Sequence, residues 1–369
     1  MDGRSVRKPG PPVTSSQVAE VAGVSQSAVS RTFTPGASIS PKTRAKVLAA
    51  ARDLGYRPNA IARSLITSRS RIIGVVMAYL ENQFYPTVLE VLGRQLRQLN
   101  YHMLLFTGFD AADSDSVFDQ IMQYRVDGII LASTGLSSAL AEECMAAGIP
   151  VVLFNRTTQR DVVSSVTTDN HAGGWRIADF LVAGGHRRFA YIAGVADSST
   201  NRDRHGGFAA GLAAHGFGPP VVRVGNYTTR QAAIAARELM GLAEPPDAIF
   251  VANDHMAVAV IDTLRHEFGL RVPADISVVG YDNVEPAAWA GYAITTVSQP
   301  AEPMVAATLD LLMRQIDSGA IAPTHRVLPG DLIVRRSARL PPRGLIERDG
   351  ATLYRPDHSL AVLTKDAAP

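Results

Sequence analysis

The chain has 369 residues, 46% apolar and 19% charged, which at roughly 150 residues per domain suggests two or three domains and excludes a disordered polyelectrolyte. Its net charge of +2 divides unevenly: residues 1–71 carry 12 Lys and Arg against 3 Asp and Glu, and the remaining 298 carry 24 against 31. A head of +9 thus precedes a body of −7. Cys144 is the single cysteine, which excludes an intrachain disulfide and a cysteine-rich zinc site. No apolar run approaches the roughly 20 residues that span a bilayer, and MDGRSVRKPGPP lacks the apolar stretch of a signal peptide. A soluble, cytoplasmic protein with no membrane partner is expected.

In the head, Thr14 and Gln17 form a capping-box pattern, because hydroxyl and amide can each satisfy a backbone donor left open at a helix start. Val18, Val21 and Ala22 share a helical face, and Gly23 stops the helix. Ser25 can cap a second helix with Ala28, Val29 and Phe33 inward. Ser40 and Pro41 open a third, striped by Val47, Leu48, Ala51 and Leu54 and stopped by Gly55. Two short helices joined by a Gly-containing turn define a helix-turn-helix, here within an all-α unit over 13–58. The N-terminal residues of its second helix meet base edges in the major groove. These are Gln26 and Ser27, with Arg31 one turn on; Gln can pair with adenine and Arg with guanine. Thr14, at the start of the first helix, joins them as a candidate DNA contact. On an arbitrary helix such residues would be solvated surface, but the +9 head and the two-helix context favour DNA.

This segment, 13–65, resembles the DNA-binding head of the LacI/GalR (lactose-repressor) family of bacterial transcription regulators. Its second matching block is GYRPNAIARSL, which in the family carries a short hinge helix that enters the minor groove. The resemblance assigns 59–71 to hinge and linker and makes Leu65 the leucine that wedges between central base pairs. Asn59 can cap such a helix, and a helix of about six residues is too short to persist alone in water. A second copy and DNA would supply the missing contacts, and the inserted Leu would kink the step. The family's aliphatic residue and Asn-Gly after the recognition helix are replaced here by Thr32-Phe33-Thr34-Pro35-Gly36.

From Arg71 the pattern becomes short β-rich runs alternating with amphipathic helical stretches. Strands are expected at 72–78, 102–106, 128–132, 151–155, 189–193, 248–252, 276–281 and 294–298, and helices at 86–99, 137–147, 172–183 and 255–268. Apolar strands alternating with helices imply parallel sheets covered on both faces, and the length implies two α/β subdomains. VDGIIL, GHRRFAYIAG, ANDHMAVA and ISVVGYDN, in this order, resemble the family's effector-binding core, which is similar to periplasmic sugar-binding proteins. The core is expected over 72–337. Three interdomain crossings are implied, with 72–166 and a return at 295–317 in the first subdomain. Ala259 replaces the small Gly of the family's NDxxAxG pattern.

Ligands of open α/β sheets bind outside the carboxyl ends of strands. Asn155, Asn253 and Asp282 sit at such ends, and the resemblance adds Arg202 as the arginine that reaches the effector. A carboxylate, an amide and a guanidinium suit a polyol, whose hydroxyls both donate and accept. Phe84, Tyr85, Tyr227 and Trp289 match family positions where aromatic faces cover a sugar ring or stack on a purine; ordinary core packing is the rival reading for all four. No HExxH or other metal spacing, no GxSxG elbow and no phosphate-binding Gly-rich loop appears, so no cofactor and no enzymic chemistry is expected.

The match stops near Arg339, and 340–369 is expected to be a flexible tail whose leucines keep no heptad. A homodimer is therefore expected, bound to a pseudopalindromic double-stranded operator and controlled by a small-molecule effector, most simply as a repressor. The rival is a cytosolic sugar-binding or sugar-processing protein with an incidental basic head.

Overall fold

A computed structural model describes residues 13–34, 36–57, 69–77, 80–107, 114–132, 139–158, 162–319 and 323–356, apart from the side chains of 114–116 and 139. The chain forms two compact units, Met1–Ser70 and Arg71–Pro369.

The first unit holds α1 (Ser15–Ala22), α2 (Gln26–Thr32) and α3 (Pro41–Leu54). Each helix starts where a hydroxyl can cap it. Thr14 accepts from Gln17 N while Gln17 accepts from Thr14 N, Ser25 accepts from Ala28 N, and Ser40 accepts from Thr43 N. Such caps contribute about 1 kcal/mol each, which matters for helices too short to stand alone. Gly23 and Gly55 end α1 and α3 at φ of 64° and 66°. The core is Val18, Ala19, Ala22, Val29, Val47, Ala50 and Ala51, flanked by Phe33, Leu54 and Tyr56. Val21 and Leu48, expected inside, are exposed by 59% and 42%. Ala19 and Ala50 take the inner positions instead, because small side chains let short helices approach closely.

The second unit contains fourteen strands among the described residues. They are β1 (Ile72–Val76), β2 (His102–Phe106), β3 (Gly128–Leu131), β4 (Val151–Phe154), β5 (Ser164–Thr168), β6 (Phe189–Ala193) and β7 (Val221–Val224), followed by β8 (Ala248–Val251), β9 (Ser277–Asp282), β10 (Thr295–Ser298), β11 (His325–Leu328), β12 (Leu332–Ile333), β13 (Leu345–Arg348) and β14 (Ala351–Tyr354). The helices are α4 (Phe84–Gln98), α5 (Ser114–Tyr124), α6 (Ala139–Ala146), α7 (Asn170–Ala183), α8 (Ser199–Ala214), α9 (Thr229–Met240), α10 (Asp254–His266), α11 (Glu285–Ala288) and α12 (Ala301–Ser318).

Sheet one is parallel throughout, in the order β11-β5-β4-β3-β1-β2. Its residues alternate between two apolar layers, as a strand period of two requires. Ile73, Val75, Ile130, Val152 and Phe154 pack with Val88 and Leu92 of α4 and Val305 and Leu309 of α12. Val76, Ile129, Leu131, Val151 and Leu153 pack with Ile121 of α5 and Leu140 of α6. Sheet two runs β13-β14-β12-β10-β9-β8-β6-β7, parallel from β7 to β10 and antiparallel beyond. The two-subdomain α/β core is thus observed, with three crossings at 168–170, 298–301 and 328–332.

Two expectations need correction. Thr295–Ser298 does not return to the first subdomain: it pairs in parallel with β9, Thr295 opposite Val279. The return comes one element later, so sheet one is completed by α12 and β11. Residues 340–369 are not wholly a loose tail either, since β13 and β14 form a hairpin that extends sheet two, with Leu353 and Tyr354 buried. β13, a four-residue strand with Ile346, Glu347 and Arg348 all exposed, has too little apolar alternation to announce itself. The positions 357–369 lie outside the described residues.

Candidate functional site

On α2 of the head, Gln26, Ser27 and Arg31 are all exposed. Gln26 Nε2 donates to Ser15 Oγ at 2.9 Å, and Arg31 reaches the Ser27 carbonyl and hydroxyl at 3.4 Å. The Arg31 contacts are long and local, and all three bonds are solvent-exposed, so a base edge or phosphate can replace them. Thr14 is tied into the α1 capping box. Asn59, Leu65 and Pro35 lie outside the described residues.

In the core, a cavity opens at the carboxyl ends of the strands, lined by Asn82, Tyr85, Asn155, Arg156, Thr200, Arg204, Tyr227, Asn253 and Asp282. Asn155 follows β4, Tyr227 follows β7, Asn253 follows β8 and Asp282 ends β9. Three of these hold left-handed backbone, with φ of 57° at Asn155, 58° at Tyr227 and 113° at Asp282. Strained backbone of this kind is tolerated where a side chain must be aimed.

Asp282 and Arg204 form the floor. Arg204 is 2% exposed and donates Nε to Asn170 Oδ1 at 2.8 Å, Nη1 to Ala252 O at 2.5 Å and Nη2 to Asp282 Oδ1 at 3.4 Å. Its guanidinium also lies 3.6 Å from the Tyr281 ring centroid. Asp282 accepts from Gln299 Nε2 at 2.7 Å and from Asn82 Nδ2 at 3.0 Å. Burial pushes the Asp282 carboxyl up, while Arg204, Asn82 and Gln299 pull it back; burial lowers Arg204, but Asp282 and the tyrosines around it hold it above its ordinary value. A buried charge pair this well hydrogen-bonded costs little to keep and much to break. Arg204 is placed by the tight packing of α7 on α8: a Cβ at Gly174 would lie 2.2 Å from Arg204 O, so only glycine fits.

The walls are polar aromatics and amides. Tyr227 OH lies 3.1 Å from Thr200 Oγ1, and its ring occupies the space a side chain at Gly194 would need. Burial pushes the Tyr85 hydroxyl up to about 12, against the pull of Arg156 and Asn155, so it stays a neutral donor. Asn253 Oδ1 caps α10 by accepting from Met256 N at 2.9 Å. That leaves its Nδ2 buried without a partner, and Asn155 Oδ1 is in the same position. Both residues line the cavity, and buried polar groups without partners are costly unless something arrives to satisfy them. Next to this site, burial and the charge of Asp282 push the carboxyl of Asp254 up to about 8.

Of the eight residues expected at the ligand, Tyr85, Asn155, Tyr227, Asn253 and Asp282 line the cavity and three do not. Phe84 is a core residue stacked on Phe154 at 6.2 Å. Trp289 is 54% exposed at the end of α11. Arg202 is exposed and donates to Asp197 O at 2.9 Å. The arginine in the cavity is Arg204: two residues on a helix lie about 200° apart, so one of the two had to face out. Phe208, buried one turn after Arg204, marks the inner face and was the available signal. Asn82, Arg156 and Thr200 were missed because they occupy loops and a helix start without a motif.

No group of three His, Cys, Asp or Glu able to hold a metal is found among the described residues, and no helix there is long and apolar enough to cross a membrane.

A helix-turn-helix head and a two-subdomain core with a polar cleft define the class of effector-responsive, DNA-binding regulators. Residues 16–59 match the bacterial regulatory proteins of the lacI family, and 178–338 match the periplasmic binding protein-like domain. The HTH-type transcriptional regulator CelR of Thermobifida fusca is 34% identical over 334 residues, covering 88% of this chain and 98% of CelR. The ribose operon repressor of Escherichia coli K12 is 31% identical over 88% of this chain and 99% of its own length. Among solved structures, the CelR–cellobiose complex aligns with a TM-score of 0.69 at 32% identity, over 88% of this chain and 100% of that one. The lac repressor dimer bound to operator and the anti-inducer ONPF aligns with a TM-score of 0.80 at 28% identity, over 89% and 99%. The chain belongs to the LacI family of bacterial transcription regulators. It is a sequence-specific DNA-binding transcription regulator.

Proposed function

We propose that the cleft binds a sugar or sugar derivative and that its occupancy controls operator binding by this chain, acting as a homodimeric repressor. The observation that carries the ligand class is the pair of buried, partnerless polar atoms, Asn155 Oδ1 and Asn253 Nδ2, in one cavity with Tyr85, Tyr227 and the Arg204–Asp282 pair. A hydroxyl donates and accepts at one oxygen, so neighbouring hydroxyls on a ring answer an open acceptor and an open donor together. The tyrosine rings supply apolar faces for the ring carbons. On the operator, Gln26, Ser27 and Arg31 read the major groove, Thr14 supports the backbone contact, and Leu65 with the Asn59-capped hinge enters the minor groove. Ligand in the cleft shifts the two subdomains, and the hinge transmits the shift.

A thermal-shift screen of the full chain against cellobiose, ribose, other sugars, sugar acids and nucleobases tests the ligand class. A sugar that raises the core transition with concentration supports it, by mass action on the folded state. Stabilisation by nucleobases alone overturns it.

A further inference from the structure

The three crossings between the sheets hold one another. Asp169 N donates to Leu328 O at 2.9 Å, Ser298 N to Asp331 O at 2.8 Å, Asp331 N to Ser298 Oγ at 3.1 Å, and Thr168 Oγ1 to Gln299 Oε1 at 3.0 Å. A Cβ at Gly330 would lie 2.4 Å from Ser298 O, so the third crossing is pressed against the second. Arg176 of α7 adds a bond from Nη1 to Gly330 O at 2.5 Å.

The side chain of Asp331, in the third crossing, is met by two arginines from the C-terminal hairpin. Arg355 Nη2 donates to its Oδ1, and Arg348 Nη1 lies 3.8 Å from its Oδ2. The hairpin is itself fastened to the second subdomain. Tyr354 pairs opposite Leu332 of β12, its hydroxyl donates to Asp179 Oδ2 on α7 at 2.6 Å, and its ring stands edge-on to Phe180 at 5.2 Å. His215, at the end of α8, holds the other oxygen of Asp179 at 2.8 Å. The hairpin and Arg355 lie beyond residue 338, where the matched binding-protein domain ends, whereas the residues they grip lie within it.

We infer that the β13–β14 hairpin is a hinge brace: anchored on α7 and β12, it grips the third crossing through Arg355 and Asp331 and so fixes the angle between the two subdomains. Rotation of one sheet against the other must change backbone angles in the few residues of each crossing. A carboxylate held there by a cation from an anchored hairpin resists that change. A hinge held near one angle alters the share of chains competent to close on a ligand, and with it the apparent affinity of the cleft. This regulatory consequence rests on the cleft being the effector site; the constraint on the hinge does not.

The test needs no ligand. Spin labels at Arg97→Cys on α4 and Ala214→Cys on α8, both exposed, report one distance across the subdomains while Cys144 stays buried. Labelled full-length chain is diluted into unlabelled chain, and the distance is read by double electron–electron resonance. The brace predicts a single narrow distribution for the parent, a broadened and shifted one for Arg355→Ala, and partial recovery for Arg355→Lys. Hydrogen exchange at the Ser298 amide, which donates across the crossing, rises roughly threefold to tenfold in Arg355→Ala, because the lost bond is charge-assisted but partly solvated. Arg348→Ala, which removes the longer ion pair, gives a smaller change in the same direction and keeps the test readable if Arg355→Ala unfolds. An unchanged distance distribution in these variants overturns the brace, whether or not exchange within β14 rises.

Discussion

The head and the core use arginine in opposite ways. Arg31 stands exposed on α2 with two weak contacts to the residue one turn before it, so its charge is available to another molecule. Arg204 is buried, with three acceptors and an aromatic face spent on it, so its charge organises the cavity floor and Asp282. An exposed cation is cheap to keep and free to bind phosphate or base edges; a buried one is structural first, and any ligand must join a network already in place. Affinity in the head should therefore be separable from stability, whereas at the charged floor of the core the two should move together.

The largest expected effect breaks the core side of this contrast. Arg204→Ala leaves Asp282 buried without its cation and should cost about 3–5 kcal/mol of core stability in urea unfolding, with loss of sugar binding. If the core keeps its stability, the floor is not a charge pair that matters. Arg31→Ala should lower operator affinity by about 1–3 kcal/mol and relax specificity at one base pair. Unfolding of the head should then change by no more than about 0.5 kcal/mol, measured by calorimetry beside binding isotherms.

Smaller effects sharpen the core side. Asn155→Gly keeps the left-handed backbone and removes the open acceptor, so sugar affinity by titration calorimetry should fall about tenfold with little change in melting temperature. Asp254 gives the subtlest signal. Its folded value of about 8 lies above that of an unfolded Asp, so the folded chain holds a proton that the unfolded chain has released between about pH 4 and 8. That contribution falls as pH rises through this window and is flat above it. His186, His205 and His255 are all pushed down by burial and act in the opposite sense near pH 6. The informative quantity is therefore the difference between the parent and Asp254→Asn, which should shrink the parent's stability relative to the variant from pH 4 to 8. A constant difference would mean Asp254 does not titrate there.

How much of this was legible in the sequence follows the same division. The three helices of the head were read almost completely, because caps, glycine stops and short spacings are local signals; among the described residues, Val21 and Leu48 were placed on the wrong side. The alternation of sheet and helix in the core was also plain, since apolar strands such as VVLF leave little choice. β5 was missed because Ser164–Thr168 is buried yet polar, its hydroxyls satisfied by partners such as Gln315 and His325 that are far away in sequence. The cavity was half legible: residues at strand ends were found from the strands, whereas Asn82 and Gln299 are recognised only when the two subdomains bring them onto Asp282. Arg202 and Arg204 could be separated only by the phase of α8.

The most direct test couples the two regions. Operator fragments selected from genomic DNA by the full chain would be titrated by fluorescence anisotropy, with and without the sugar that stabilises the core, for the parent and for Asn155→Gly. The expected result is a discrete pseudopalindromic site whose affinity changes with the sugar in the parent, and changes only at about tenfold higher sugar in Asn155→Gly. Binding to no discrete site, or an operator affinity indifferent to any sugar that occupies the cleft, would contradict it.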